Sequence, residues 1–187
     1  MGAGHQQVIT AMHALWQTRA WLGDAAAAET ALTALLAGYE PADQALLAPL
    51  LYSLGVAQRL NRHDAAALET QTRALALFGE GPAARLDRLH VETERGLSEV
   101  ALGRFDEARR RLQPVVAAFA SLQLAPTPQA ADARVALGRA CLGLNLHAEA
   151  AAVLADADTF WRAHDPSSRW AEEGASLLAA AHTTVTP

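Results

Sequence analysis

The feature that most limits what this chain can fold into is a short segment that recurs four times. Its clearest form is Leu102-Gly103-Arg104-Phe105-Asp106-Glu107-Ala108, and weaker versions run from Leu22 to Ala28, Leu60 to Ala66 and Leu144 to Ala150. Each opens on an apolar residue, continues with Gly or Asn, and brings in an alanine five positions further on. The marks Gly23, Asn61, Gly103 and Asn145 follow one another at intervals of 38, 42 and 42 residues. A period of that size is the sign of stacked supersecondary units.

The residue types say what each unit is. A helix that stops and reverses needs a residue able to take a positive φ just past its end, which Gly does freely and Asn tolerably. Gly23, Asn61, Gly103 and Asn145 therefore read as turns between the two helices of four hairpins. Ala28, Ala66, Ala108 and Ala150 fall about one turn into each second helix, where a short side chain lets two helix axes approach. Alanine and leucine lead the composition and aromatic residues make up 5%. With few β-branched residues, that balance favours helix over sheet.

Prolines give an independent phase. Pro41, Pro82, Pro128 and Pro166 stand where later hairpins and a final helix should begin, since proline suits the first helical position. Asp24, Thr127 and Asp165 are suitable N-caps. The reading is four hairpins at about 5–38, 42–78, 83–122 and 128–164, followed by a capping helix at 166–182, all within one domain spanning 1–187. Hairpin one carries Val8, Met12, Leu15, Trp16 and Leu22 on its first helix, and Leu32, Leu35 and Leu36 on its second. Hairpin two carries Leu46, Leu47, Leu50, Leu51, Leu54 and Leu60, then Leu68, Leu75 and Leu77. Pro49 should kink that first helix or move its start to about Ala48. In the last helix, Trp170, Leu177 and Leu178 lie on one side, as a unit that hides the end of an array requires.

Composition excludes several functions. A net charge of −5 and a pI near 5.8 leave no basic face for nucleic acid. All 15 basic residues are arginine, which with the alanine excess fits a GC-rich bacterial coding sequence. The single cysteine, Cys141, allows no internal disulfide and no thiolate metal cluster, and reads as a small core residue. The longest apolar run, Ala45 to Ala57, is too short to span a bilayer, so a soluble, cytoplasmic chain is expected, with a larger parent protein allowed.

The motifs resemble a known family. Leu137-Gly138, Cys141, Asn145-Leu146-His147, Ala150, Leu154, Ala157 and Pro166 are similar to the tetratricopeptide (TPR) consensus, as are Gly96, Leu102-Gly103-Arg104-Phe105, Ala108 and Leu112. The likeness covers about Val8 to Pro166, with a spacing above the usual 34 or so that implies longer helices or loops. It implies an all-α, right-handed α-solenoid of four TPR-like helical hairpins plus a C-terminal capping helix. The closing segment Thr159-Phe160-Trp161-Arg162 with Asp165-Pro166 and Trp170-Ala171 is also similar to the ends of repeat arrays that follow bacterial serine/threonine kinase or DNA-binding domains.

No catalytic signature is present: there is no GxGxxG, P-loop, HExxH or GxSxG. The seven histidines include no pair at i, i+4, so neither a metal nor a cofactor is expected. His63 and His147 read as packing residues where an aromatic would otherwise stand. Glu92 with Glu94, and Glu172 with Glu173, point to different helix faces and are not disposed for acid/base work. The triplet Arg109-Arg110-Arg111 reads as a solvated face near Asp106 and Glu107.

What remains is a surface. In stacked hairpins the first helices line the concave side, which binds peptides or proteins. The residues projecting there are His13, Gln17, Tyr52, Arg59, His90, Thr93, Glu94 and Arg139, and the two arginines would favour an acidic segment or a carboxylate terminus. Trp16 and Trp161 read as core; Trp21 and Trp170 are candidate interface anchors. The function expected is a non-enzymatic protein- or peptide-binding scaffold. The alternatives are a sensory or regulatory segment of a larger signalling protein and a homo-oligomerisation module.

Overall fold

A computed structural model describes residues 3–38, 44–81, 84–124 and 127–183. Among the described residues there are nine helices and no strand: α1 (Ala3–Trp21), α2 (Ala25–Ala37), α3 (Gln44–Leu60), α4 (Asp64–Leu77), α5 (Arg85–Ala101), α6 (Phe105–Ser121), α7 (Pro128–Gly143), α8 (His147–His164) and α9 (Arg169–Thr183). Two compact units form, Met1–Ser98 and Glu99–Pro187, and the division falls inside α5.

The reversals share one hydrogen-bond pattern. Asp24 N–H donates to Arg19 C=O, His63 to Gln58, Arg104 to Glu99 and Leu146 to Cys141, each at 2.8–3.0 Å. In each turn the residue before the donor holds a left-handed backbone: Gly23 at φ +103°, Arg62 at +67°, Gly103 at +73° and Asn145 at +59°. This is the C-terminal cap that satisfies the last helical carbonyls. In hairpin two the left-handed residue is Arg62, and the expected Asn61 instead turns its amide outward, donating from Nδ2 to Glu29 Oε2 at 2.7 Å. The repeat register moves with it. Ala28, Ala67, Ala108 and Ala150 are fully buried, five residues after each turn, while Ala66 is exposed.

In the first unit α1, α2 and α3 pack together and α3 packs on α4. Leu32 of α2 meets Leu50, Leu54 and Ala57 of α3 across Ala20 and Ala28, with Trp16, Leu35, Leu36 and Leu60 closing the cluster. Val8, Met12, Leu15 and Leu22, expected inward, are exposed; α1 buries Ile9 and Ala20 instead. The apolar residues of this helix lie on both sides, so a period through Val8 and Leu15 picks out the outer stripe. On α4 the buried residues are Ala67, Thr70, Gln71 and Ala74, with Leu68, Leu75 and Leu77 half-buried beside them.

In the second unit α7 packs between α6 and α8, and α9 closes on α8. Its core is Ala108, Leu112, Val115 and Phe119 of α6, Leu137, Ala140 and Cys141 of α7, and Ala150, Leu154 and Ala157 of α8. Gly143 lies so close to the Phe105 ring that an added Cβ would stand 2.5 Å from it. That contact explains the aromatic after the turn at Gly103.

Helix starts follow the expected chemistry in part. Thr127 caps α7, its Oγ1 accepting from Ala130 N–H at 3.3 Å, with Pro128 at the first position. Pro166 lies in the turn before α9, whose cap is Ser168 and not Asp165: Ser168 Oγ accepts from Ala171 N–H at 3.3 Å. Pro49 sits inside α3, which has already begun at Gln44, so the start is not moved to Ala48. Pro41 and Pro82 lie outside the described residues.

Candidate functional site

The first helices of the N-terminal unit place four of the eight expected surface residues in two linked groups, His13 with Gln17 and Arg59 with Glu94. On α1, His13, Gln17 and Trp21 are spaced by four and share a face. His13 Nδ1 lies 3.2 Å from Ser53 Oγ of α3, and that hydroxyl reaches Gln17 Oε1 at 3.4 Å. Ser53 is itself fully buried. One stage along, Arg59 Nε donates to Glu94 Oε2 of α5 at 2.6 Å, and the Arg59 guanidinium lies 5.6 Å from the Trp21 ring centroid. Trp21, Arg59 and Glu94 thus tie three consecutive first helices together. The Arg59 and Glu94 side chains retain only 15% and 6% of their exposure.

Electrostatics at this face are set by burial. Desolvation lowers the pKa of His13, and it lowers that of His90 more strongly than the nearby Asp87 and Glu94 carboxylates raise it. Thr93 is buried and back-bonded, its Oγ1 donating to Leu89 C=O at 2.9 Å. Tyr52 is half-buried beside Leu51, Ala74 and Val91.

Sequence reasoning missed Gln71. It occupies, four residues after the buried alanine of its helix, the position filled by Leu32, Leu112 and Leu154 in the other hairpins, and like them it is fully buried. Its Nε2 donates to Gly55 C=O at 3.4 Å and its Oε1 accepts from Ser98 Oγ of α5 at 3.1 Å. The signal was a glutamine where the period demands leucine, visible only once the register runs through Ala67.

Arg139 and Trp170 belong to the second unit. Arg139 pairs with Glu173, joining α7 to α9. Trp170 stacks on Trp161 with ring centroids 5.6 Å apart, and Arg169 covers it at 4.6 Å. Both therefore seat the closing helix. Trp161 is buried, as expected, and Trp16 packs on the first core.

The arginine triplet is used more than expected. Arg109 grips both Glu149 oxygens at 2.9–3.2 Å, Gln113 joins at 2.9 Å, and Arg111 grips Glu99 at 2.7–3.0 Å. Burial, helped by Glu149, pushes the Cys141 thiol up to about 11. His63 is exposed and reaches Glu29 at 2.9 Å; it does not fill a core position. Among the described residues no group of three or more His, Cys, Asp or Glu is placed to hold a metal ion. Nor is any described helix long and apolar enough to cross a membrane.

Helical hairpins sharing one turn geometry and one buried alanine define a helical-repeat protein. More particularly, the repeats are TPR-like: residues 93–167 match the family model for the tetratricopeptide repeat. Among solved structures the chain is similar to the nearly identical TPR-like repeats of a Podosopora anserina protein described as a kinesin light chain. One of those crystal structures, of a variant, has a TM-score of 0.69 at 20% identity, covering 97% of this chain and 87% of that one. Another has a TM-score of 0.68 at 21% identity, covering 95% and 86%. No match is found among the curated proteins. The likeness extends across the whole chain and shows its fold, an all-α array of TPR-like hairpins.

Proposed function

We propose that the chain is a non-enzymatic scaffold that binds a protein or peptide segment along the first helices of its N-terminal unit, acting in the cytoplasm. TPR-like arrays are in general protein-interaction scaffolds, which supports the coarse reading. The observation that carries the finer one is a pair of groups on one run of first helices, His13–Ser53–Gln17 and Trp21–Arg59–Glu94. Donors, acceptors and an aromatic edge are held there by partners within the fold, so a guest meets them already ordered.

The charge of Arg59 is balanced by Glu94 and that of Arg139 by Glu173. An acidic segment would therefore have to exchange with an internal carboxylate. The geometry fits better a guest that uses neutral hydrogen bonds and apolar contact around His13, Gln17 and Tyr52.

The test is quantitative co-purification from native lysate with His13→Ala/Tyr52→Ala as comparison, each protein first shown to be folded by circular dichroism. A partner retained by the wild type and lost by the double variant supports the reading. Equal recovery from both removes this face as the binding surface. Loss with Arg59→Glu that is rescued by a charge-reversed guest would restore the acidic-partner reading.

A further inference from the structure

Helix α8 departs from the other second helices at two positions. Counted by the 42 and 41 residues that separate the left-handed turns at Asn145, Gly103 and Arg62, Asp158 stands where α6 has Val116 and α4 has Leu75. Trp161 likewise stands where they have Phe119 and Phe78. Apolar side chains in two hairpins thus give way to a carboxylate and an indole N–H in the last. Neither lies at the surface, since both residues are only 8% exposed. Burying polar atoms is costly unless they are hydrogen-bonded. Asp158 Oδ2 accepts from Arg162 Nε at 2.6 Å, but Asp158 Oδ1 and Trp161 Nε1 are both buried and have no hydrogen-bond partner among the described residues.

We infer that Asp158 and Trp161 hold an internal water molecule in the seam between α8 and α9. The two residues lie three apart and share a face of α8. That face is turned to α9: Trp161 stacks on Trp170 with ring centroids 5.6 Å apart, and Gly174 lies against the Asp158 backbone. The two atoms are complementary, because a carboxylate oxygen accepts and an indole N–H donates. A single group that accepts from the indole and donates to the carboxylate satisfies both, and water is the smallest that does. Gly174 leaves it room. A Cβ there would meet only Asp158 Cα outside its own helix, and that at 3.9 Å. Polar partners with space between them are where internal water is found, whereas an apolar site stays dry. Other small occupants fit less well. An anion would be repelled by Asp158, and among the described residues no group of three His, Cys, Asp or Glu is placed to hold a metal ion. Since Trp170 stacks on the Trp161 ring, a water that fixes this ring also fixes the seat of the closing helix.

Water-selective NOE spectroscopy on the full isotope-labelled chain tests this at the Trp161 indole proton, assigned by its disappearance in Trp161→Phe. The wild type should show a cross-peak to water with the sign of a long-lived contact. Asp158→Asn, which keeps an acceptor oxygen in place, should retain the cross-peak. Asp158→Val, which introduces the residue found at this register in α6, should lose it while keeping the wild-type circular dichroism. A crystal structure of the wild type gives a second readout that needs no variant, a solvent peak within hydrogen-bonding distance of both atoms. An indole proton without a long-lived water, a direct bond from Trp161 Nε1 to Asp158, or a bound solute in place of water overturns the inference, as does a cross-peak that survives Asp158→Val.

Discussion

Gln71 passes Gly55 so closely that a Cβ at position 55 would stand 2.6 Å from its Cγ. The glycine opens a path for a long polar side chain into a layer where the neighbouring hairpins use leucine. Hairpin four solves the same contact with Gly138 and Leu154, where the added Cβ would stand 2.5 Å from Leu154 Cγ. Gly138→Ala should therefore lose about 1–3 kcal/mol by overpacking, more than the helix-propensity gain of about 1 kcal/mol returns. Gln71→Leu should change stability by no more than about 1 kcal/mol. Ser98 Oγ keeps its bond to Glu94 C=O at 3.1 Å, and a residue of similar size fills the layer. Gln71→Ala, which leaves a hole, should lose about 2–4 kcal/mol. Urea unfolding of the three variants checks the ranking; equal losses for Leu and Ala would mean that the glutamine's hydrogen bonds, not its volume, matter.

The turn at Arg62 makes a sharper prediction. A non-glycine residue held at φ +67° carries a left-handed penalty of about 1–2 kcal/mol that glycine escapes. Arg62→Gly should therefore stabilise the first unit by about 0.5–1 kcal/mol. Asn61→Gly should destabilise it, because Asn61 is not left-handed and its amide holds Glu29. In the same register Ala67→Leu should lose about 1–3 kcal/mol and Ala66→Leu almost nothing. Thermal melts of the four single variants are sufficient. The opposite ranking within either pair would put the turn back at Asn61.

That pair of residues also shows what was legible beforehand. Gly23, Gly103 and Asn145 announce their turns because positive φ is nearly their speciality, and the helical hairpins, the buried alanines of three of them and the cap at Thr127 followed directly. Asn61 misled for the same reason: asparagine tolerates the left-handed region, so chemistry alone could not tell it from the residue beside it. The left-handed backbone of Arg62 and the burial of Ala67 decide. The residues of the candidate site were legible as helix positions and not as partners. Sequence placed His13, Gln17, Arg59 and Glu94 on first helices, but the pairing of Arg59 with Glu94 depends on distances between helices that no local pattern carries. The Arg109–Glu149 clasp, spanning 40 residues, was hidden likewise.

His13 and His90 give the first unit a pH dependence. Burial lowers both pKa values from 6.5. A base whose folded pKa lies below its unfolded value is kept neutral in the native state, while the unfolded chain takes up protons first. Stability contributed this way is complete above pH 6.5 and is lost as the pH falls below it toward the folded pKa. Melting temperature should thus fall between about pH 7 and 5 more steeply in the wild type than in a His13→Gln/His90→Gln variant. Parallel profiles would show that neither imidazole is desolvated in solution.

Arg59 and Glu94 should behave as one unit. Their side chains are 15% and 6% exposed, so removing the guanidinium leaves a desolvated carboxylate on α5 without its cation. Arg59→Ala should lose about 3 kcal/mol for that reason, including the smaller contribution of the Trp21 contact, about 0.5–1 kcal/mol. Arg59→Met/Glu94→Leu should recover most of the loss, because the charge that needed compensation has gone and apolar volume has replaced it. The Arg139–Glu173 pair provides the contrast. At 37% and 35% exposure both of its ions keep much of their hydration, and the same pair of experiments there should yield less than about 1 kcal/mol. A double-mutant cycle at each pair, measured by denaturant unfolding, separates the cases. Equal coupling energies would mean that the α3–α5 pair is solvated after all, and that its arginine is available to a carboxylate arriving from outside.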